Sequence, residues 1–288
     1  MGRGKSAKNW DLVITARDIL RKIQPATVRA VCYRLFIAGV IASMEKANTK
    51  RVSGQLTWAR EQQIIPWRWI VDETREAEYV PSWDHPADFA DSISRQYRRD
   101  NWAQQGVLVE VWSEKGTMRG MLAPVLQKYG VTFRVMHGFT SATSAYDVAQ
   151  MIADESRRVV VLYAGDWDPS GLYMSEVDLP SRLREYGAAP EVFQRLALTA
   201  EDIGDPNLPS FSVRDKQKDP RFRWFASQYG ARCWELDALS PVVLRDRVEA
   251  AIRSHIEWSA WERCLLAEAA ETESLRDVLT TWSQVKHG

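Results

Sequence analysis

Along the first sixty residues, apolar positions recur among polar ones with the spacing of helices. Between residues 9 and 24 the apolar positions recur at intervals of three and four and predict an amphipathic helix, through Leu12, Val13, Ala16, Ile19, Leu20 and Ile23. Pro25 ends this helix. A second helix is expected from about Ala26 to Ala38, where Gly39 provides a stop, and a third from Thr49 to Gln62.

The segment IIPWRWIVDE at 64–73 is rich in aromatic and β-branched residues, which predicts the wing of a winged helix. Two helices, a basic helix and a wing are the parts of helix-turn-helix DNA-binding domains. The following segment EYVPSWDHPADFADS, at 78–92, carries two prolines and several aspartates and predicts a connector. We therefore expect a winged-helix-like DNA-binding domain over residues 1–105.

From residue 106 the pattern changes to strands that alternate with helices. Strands are expected at 107–112, 131–136 and 159–164. The helices between them are expected at 117–130 and from Ser141 or Ser144 to about Glu155. Such nearly continuous apolar runs are typical of parallel strands that are covered on both faces. The sequence therefore predicts an α/β domain over 106–288, closed by helices at about 241–257 and 259–283.

The charged residues are distributed unevenly, although the net charge is zero. Residues 1–60 hold twelve lysines and arginines against three acidic residues, whereas residues 61–107 hold five against nine. A positive segment suits the phosphate backbone of DNA, because counterions are released when phosphates are neutralised. Lys50, Arg51 and Arg60 on the third helix are the predicted DNA contacts.

The cysteines and the apolar segments exclude several classes of protein. The three cysteines form no C-x-x-C pair, so neither a disulfide framework nor a cysteine zinc site is expected, and a reducing compartment is favoured. The N-terminus is polar and basic and does not resemble a signal peptide. The apolar stretch from Val31 to Met44 is too short to span a bilayer. A cytoplasmic protein with no membrane partner is expected.

Three carboxylates follow strands of the predicted sheet. Glu114 comes just after the first strand, and Asp166 and Asp168 come just after the third. Ligands of open α/β sheets bind beyond the carboxyl ends of the strands, so these side chains can converge there. Carboxylate oxygens suit Mg²⁺ or Mn²⁺, and no nearby His or Cys cluster indicates zinc. Glu110, within the first strand, competes with Glu114 but is expected to be structural.

The second helix carries a tyrosine close to an arginine. Tyr33 is expected to point away from the apolar stripe of this helix, and Arg29 lies one turn earlier on nearly the same face. A guanidinium beside a phenol favours the phenolate, which is the form that attacks phosphorus. The alternative interpretation is a partly buried tyrosine with an arginine stacked on it.

These motifs resemble a known family. SEKG at 113–116 and GDWDPSG at 165–171 resemble the Toprim domain of topoisomerases, primases and related nucleases. The D-x-D-P-x-G form is similar to the A subunit of type IIB topoisomerases and the related meiotic double-strand-break protein. RAVCYRL at 29–35 resembles the R-x-x-Y-Y motif of that subunit, with Tyr33 in the position of the nucleophile and Cys32 in place of the first tyrosine. The resemblance covers most of the chain.

The resemblance implies a Mg²⁺-dependent transesterase that cuts double-stranded DNA as a homodimer. Tyr33 would attack the phosphodiester with help from Arg29 and Glu114, while Glu114, Asp166 and Asp168 would hold the metal. Strand passage would require a separate ATPase subunit, because the chain carries no nucleotide-binding motif. Two alternatives stay open. One is a hydrolytic Toprim nuclease of plasmid or phage defence that uses metal-activated water, and the other is a DNA-binding assembly module with a vestigial metal site.

Four residues have weaker interpretations. A strand followed by D-x-D also occurs in haloacid-dehalogenase-type phosphatases, which would make Asp166 a nucleophile, but in that family this strand comes first in its domain. His137 and His255 are expected to be structural, because neither has a placed partner. Asp237, in WELDAL, is a candidate for an additional metal-binding or supporting carboxylate.

Overall fold

The computed structural model describes residues 6–71, 80–136 and 142–284. The N-terminal part contains the three expected helices, α1 (Ala7–Ile23), α2 (Val28–Ile37) and α3 (Lys46–Glu61). Their apolar faces form one buried cluster, which includes Leu12, Val13, Ala16, Leu20, Val31, Leu35, Val52, Leu56 and Ala59. The 3.6-residue periodicity therefore predicted the helices and the buried face of α1, whereas the buried face of α2 also includes Tyr33.

The expected wing is only partly described. Between α1 and α2 lies the two-residue strand β1 (Ala26–Thr27), which pairs in parallel with β2 (Ile70–Val71). Just before β2, Trp67–Trp69 form a single 3₁₀ turn. Residues 72 and 73 of the predicted wing lie outside the described residues, so the wing stays a prediction.

The connector expected at 78–92 is wrong from Pro86 onward, where helix α4 (Pro86–Gln96) begins. A proline in the first turn favours a helix start, because its fixed φ suits the helix and its missing N–H would have no partner there. The Asp88 carboxylate accepts a hydrogen bond from the His85 N–H at 3.2 Å and completes the cap. The prolines and aspartates that indicated a loop are thus the start signals of a helix.

The central sheet contains four parallel strands in the order β4-β3-β5-β6. These are β3 (Val107–Ser113), β4 (Thr132–Val135), β5 (Arg158–Ala164) and β6 (Val192–Ala197). Along β5, Val160 and Leu162 face one buried cluster, whereas Val161 and Tyr163 face another. Because both faces are covered, the strand is apolar at nearly every position, and the predicted parallel sheet is confirmed.

Helices cover the sheet, and short elements follow its strands. The helices next to the strands are α5 (Met118–Tyr129), α6 (Ala142–Asp154), α7 (Pro169–Tyr173), α8 (Leu179–Glu185) and α9 (Ala200–Gly204). Strand β7 (Phe211–Ser212) pairs antiparallel with β8 (Arg232–Cys233), and α10 (Phe222–Tyr229) lies between them in the chain. The expected C-terminal helices are α11 (Pro241–Ser254) and α12 (Trp258–Gln284).

Two sets of contacts join distant parts of the chain. Helix α4 packs on α12, where the Tyr97 hydroxyl donates to Glu271 Oε2 at 2.7 Å. Arg245 on α11 donates to the carbonyls of Ile23 and Gln24 at 3.0 and 3.2 Å, which fixes the end of α1 against the sheet part. The predicted domain boundary at residue 105 stays a prediction. Within the described ranges, no helix combines the length and the apolar character needed to cross a membrane.

Candidate metal centre and the adjoining cleft

Glu114 and Asp166 meet at the carboxyl edge of the sheet. Strands β3 and β5 are neighbours, and their last residues Ser113 and Ala164 are partners in the register. The chain therefore leaves both strands at the same edge, as expected for parallel strands. Glu114 Oε1 accepts a hydrogen bond from the backbone N–H of Asp166 at 2.8 Å. The structure thus brings together the two loops that the sequence placed at one edge.

Asp168 begins helix α7 on the same loop. Its Oδ1 accepts a hydrogen bond from the Gly171 N–H at 2.8 Å, and Pro169 occupies the first helical position. A Cβ atom at Gly171 would lie 2.7 Å from the Asp166 carbonyl oxygen and 3.2 Å from Glu114 Oε1. Only glycine therefore allows the helix to approach the two carboxylate loops this closely.

Two lysines lie directly on the aspartates. Lys115 Nζ is 2.8 Å from Asp166 Oδ1 and 3.0 Å from Asp237 Oδ2. Lys216 Nζ is 2.8 Å from Asp168 Oδ2. Sequence reasoning did not assign a role to either lysine. Lys115 stands in the SEKG motif, but Lys216 ends a short 3₁₀ helix (Val213–Lys216) far along the chain and carries no spacing signal.

Burial and the neighbouring carboxylates raise the pKa values of Glu114 and Asp166. Burial and the nearby Asp166 and Asp168 raise the pKa of Glu114 to about 7. Burial also raises the pKa of Asp166, even though Lys115 and a backbone hydrogen bond favour its charged form. Excess negative charge therefore remains at the edge of the sheet in spite of the two ammonium groups.

The donor set fits a hard divalent cation. Glu114, Asp166 and Asp168 offer carboxylate oxygens, which Mg²⁺ and Mn²⁺ prefer, and a dication would relieve the repulsion that raises the pKa of Glu114. In the described part of the chain, no three His, Cys, Asp or Glu side chains already form a cage around one point. Backbone N–H groups and the two lysines occupy several of the oxygens instead.

Glu110, the competing glutamate, lies inside the sheet with its own partners. Its Oε2 accepts hydrogen bonds from Trp112 Nε1 at 2.6 Å and from Arg134 Nε at 2.9 Å. Its Oε1 accepts from Arg134 Nη2 at 2.8 Å. A buried carboxylate that is paired in this way supports the fold, so Glu114 is the glutamate at the site.

Arg195 on β6 supports the loop that carries the two aspartates. Its side chain is 10% exposed, and its guanidinium donates to the carbonyls of Gly165 and Leu198 at 3.1 and 3.2 Å. It also donates to Ser175 Oγ at 2.6 Å. One guanidinium thus binds the start of the aspartate loop, the end of β6 and the helix that follows the loop.

Asp237 connects the carboxylate site to the N-terminal helices. Its Oδ1 accepts a hydrogen bond from the Thr27 hydroxyl at 2.6 Å, while its Oδ2 binds Lys115. The neighbouring Leu236 N–H donates to Asp166 Oδ1 at 2.7 Å. The interpretation of Asp237 as a supporting carboxylate therefore has a definite geometry, because one ammonium group separates it from Asp166.

Tyr33 does not lie on an open face of α2. The residue is 4% exposed, because α2 packs on the turn Leu236–Ala238. The Arg29 guanidinium lies 5.7 Å from the centre of the tyrosine ring, but its Nε and Nη2 donate to the two carboxylate oxygens of Glu235. Burial and the Glu235 charge raise the pKa of Tyr33, and Arg29 and Lys115 do not offset them. The lowering of the Tyr33 pKa by Arg29 that the sequence suggested is therefore smaller than the opposing effects of burial and Glu235.

Tyr33 borders a cleft of about 420 Å³ between the N-terminal helices and the sheet part. Its lining residues are Arg29, Tyr33, Phe36, Ser43, Met44, Glu45, Pro209, Ser210, Phe211, Asp215 and Glu235. The cleft adjoins the carboxylate site through Lys216. The Nζ of this lysine binds Asp168 and lies 5.9 Å from the centre of the Phe211 ring.

The three predicted DNA contacts differ in their surroundings. Lys50 is exposed on α3. Arg51 donates to Asn9 Oδ1 at 3.0 and 3.2 Å, and the Arg60 guanidinium lies 4.7 Å from the centre of the Trp67 ring. Lys50 is therefore the most available of the three for a phosphate, while Arg51 and Arg60 also contact their own neighbours.

Of the two histidines that the sequence analysis interpreted as structural, His255 follows the last turn of α11, where burial and the nearby Arg158 lower its pKa. His137 lies outside the described residues.

Comparison with models of known protein families gives no match. Comparison with curated proteins gives no match either. The side chains at the carboxyl edge of the sheet therefore carry the functional interpretation.

Proposed function

We propose that this chain is a Toprim-like enzyme that cleaves DNA with Mg²⁺ or Mn²⁺, and that Glu114, Asp166 and Asp168 hold the metal. The observation that carries this proposal is the contact of Glu114 with the Asp166 loop at neighbouring strand ends, together with a Glu114 pKa raised to about 7. Buried carboxylates that repel one another destabilise the fold unless a cation or a proton binds to them, so such a cluster indicates a functional site.

The residues of the site have separate roles in a cleavage reaction. A bound divalent cation supplies stabilisation for the negative charge that develops on the phosphodiester. Glu114 accepts a hydrogen bond from the Asp166 N–H and would hold the metal as a carboxylate together with Asp166 and Asp168. Lys115 and Lys216 place two ammonium groups beside the carboxylates and offset part of their negative charge.

Water is the nucleophile that this geometry supports best, which favours a hydrolytic nuclease. The Tyr33 hydroxyl belongs to a buried residue with a raised pKa, so little phenolate forms near neutral pH. The cleft beside it also carries Glu45, Asp215 and Glu235, which repel a phosphodiester. At the carboxylate site a bound cation would offset the acidic side chains, and attack by water needs no buried phenol.

A transesterase is the second candidate. This candidate is supported by the position of the Tyr33 cleft, which adjoins the carboxylate site through Lys216 and so brings the phenol near the proposed metal ligands. In this mechanism α2 would have to leave the turn Leu236–Ala238, and in a homodimer Tyr33 would face the partner's metal site. Only this transesterase candidate would need a separate ATPase subunit, for strand passage. Double-stranded DNA would reach either enzyme through Lys50 and the positively charged N-terminal segment.

Incubation of the pure protein with supercoiled plasmid and Mg²⁺ tests the proposal. Wild-type protein should nick or linearise the plasmid, and EDTA or Asp166→Ala should abolish this activity. Asp154→Ala is the matched control, since Asp154 is exposed at the end of α6 and should leave cleavage unchanged. Full cleavage in EDTA, or equal cleavage by Asp166→Ala and Asp154→Ala, would reject the metal-dependent site.

A further inference from the structure

The cleft beside Tyr33 has the size of a small-molecule site and an acidic wall. Its volume of about 420 Å³ lies within the ordinary range of ligand pockets. Among the described residues that line it, Arg29 is the one cation, and its guanidinium is bound to Glu235. Glu45 and Asp215 therefore leave the wall with net negative charge. Such a wall disfavours a phosphate or carboxylate ligand and favours one that offers N–H donors.

The apolar part of the lining is largely aromatic. Tyr33 and Phe36 come from α2, and Phe211 comes from the opposite side of the cleft. Planar heterocycles bind between such rings, and every nucleobase has a face that stacks on an aromatic side chain. Acidic oxygens and aromatic rings together are typical of sites that bind a flat ligand rich in N–H groups.

Ser210, which borders the cleft, has a buried hydroxyl whose hydrogen-bonding capacity is unused. Its Oγ is enclosed by protein atoms and has no hydrogen-bond partner. A buried hydroxyl without a partner is unfavourable, and native structures contain few of them. Ser210 borders the cleft, so a change of its χ1 rotamer would turn the hydroxyl to the cleft surface, where a polar atom of a bound molecule can become its partner.

The position of the cleft links this ligand to the proposed reaction. Asp215 precedes Lys216, which binds Asp168, and Glu235 precedes Leu236, whose N–H binds Asp166. The cleft and the carboxylate site are therefore built on the same two segments. A nucleotide with its phosphate at the carboxylates can direct its base toward this cleft, because the two shared segments place the cleft beside the carboxylates.

We propose that the cleft receives one unpaired base of the DNA strand next to the bond that is cut, and that it prefers guanine. This inference rests on the proposed function. Guanine offers its N1–H and N2–H donors side by side, which match the two oxygens of a carboxylate, whereas thymine offers one N–H between two carbonyl groups. The substrate class is then DNA with a guanine that is single-stranded or turned out of the duplex.

Binding of free nucleosides in EDTA tests the inference without any cleavage. Titration calorimetry or ligand-detected NMR should show saturable binding of deoxyguanosine and at least about tenfold weaker binding of thymidine, a range consistent with one lost hydrogen-bond pair. Asp215→Asn and Phe211→Leu should each weaken deoxyguanosine binding by about fivefold or more. Asp154→Asn, at an exposed position on α6, is the matched control and should bind like wild type.

The outcomes separate this inference from the proposed function. Equal affinity for deoxyguanosine and thymidine, no saturable binding, or unchanged affinity in both cleft variants would overturn the base site, even if the protein cuts DNA. Deoxyguanosine binding that depends on Asp215 and Phe211 supports the base site, even if no cleavage occurs. A second arm with Mg²⁺ should place cuts beside an unpaired guanine in an oligonucleotide and leave the fully paired duplex of the same sequence largely uncut.

Discussion

The carboxylate site and the Tyr33 cleft lie side by side and are both acidic, yet their charges are balanced differently. At the carboxylate site Lys115 and Lys216 contact the aspartates directly, and the Glu114 pKa is still raised to about 7. In the cleft the cation is Arg29, which is bound to Glu235. The first region suits a dication and a phosphate. The second suits a neutral, N–H-rich group.

The comparison also shows that closeness to an arginine does not activate a tyrosine. Arg29 lies over the ring of Tyr33, but its donors are bound to Glu235, and burial together with the Glu235 charge raises the tyrosine pKa. A guanidinium that is already paired presents little net charge to a third group. The two regions can therefore be tested separately, beginning with the change that should have the largest effect.

Gly171→Ala should disrupt the carboxylate site and leave the cleft intact. The new Cβ would lie 2.7 Å from the Asp166 carbonyl oxygen, so the aspartate loop must shift. We expect a loss of cleavage of about a hundredfold or more and a destabilisation of about 1–3 kcal/mol. Plasmid cleavage and thermal unfolding measure these effects.

The matched control is Gly54→Ala on α3, where an added Cβ meets no atom within 4 Å. Alanine favours helix over glycine, so this variant should be as stable as wild type or more stable. Equal activity of the two alanine variants would show that the close approach at Gly171 does not matter.

Glu114→Gln should change how stability depends on pH. Because folding raises the Glu114 pKa from 4.5 to about 7, the folded state holds this proton more tightly than the unfolded chain does. In EDTA the wild-type protein should therefore lose stability as the pH rises through this window, on the order of 3 kcal/mol. Glu114→Gln cannot ionise and should lack this loss in urea unfolding at pH 5 and pH 8.

Glu262→Gln, at an exposed position on α12, is the control and should keep the wild-type pH dependence. Mg²⁺ should restore stability at pH 8 to the wild type, because a cation offsets the charge that ionisation creates. If wild type and Glu114→Gln show the same pH dependence, the electrostatic description of the site is wrong.

Lys115→Met should tighten metal binding by about tenfold, since an ammonium 2.8 Å from Asp166 competes with a cation for the same oxygen. Asp237→Asn should weaken metal binding several-fold, because Lys115 would then form its ion pair with Asp166 alone and compete more strongly with the cation. Mn²⁺ titration followed by electron paramagnetic resonance measures both changes in the absence of DNA.

Lys128→Met removes an exposed lysine that pairs with Glu249 and should leave Mn²⁺ affinity unchanged. A decrease of affinity in Lys115→Met would mean that the lysine organises the carboxylates and does not compete with the metal.

The parts of the site that the sequence predicted depend on local patterns. Strands β3 and β5 are marked by apolar runs, and the carboxyl ends of neighbouring parallel strands meet at one edge, so the contact of Glu114 with the Asp166 loop was predictable. The stop signals of the helices worked for the same reason. At α4 a local signal was misread, because proline is common in loops as well as in the first turn of helices, and Pro86 begins a helix.

The parts that were missed depend on contacts between distant segments. Edge strand β6 has polar Gln194 and Arg195 in its middle and lacks the apolar run of a buried strand, so Arg195 was not assigned. The partner of Arg29 is Glu235, more than two hundred positions away in the chain, and no spacing rule connects them. Lys216 likewise reaches Asp168 from a short 3₁₀ helix that is distant in the chain.

The most direct test of the central claim is the chemistry of the DNA ends that Tyr33→Phe produces. The substitution removes one oxygen from a buried ring and should leave packing and metal binding almost unchanged. If water attacks at the carboxylate site, Tyr33→Phe should cleave plasmid within about twofold of wild type and leave free ends, while Asp168→Ala should be inactive. Protein-linked ends from wild type, together with an inactive Tyr33→Phe that still binds DNA and Mn²⁺, would contradict the account and make Tyr33 the nucleophile.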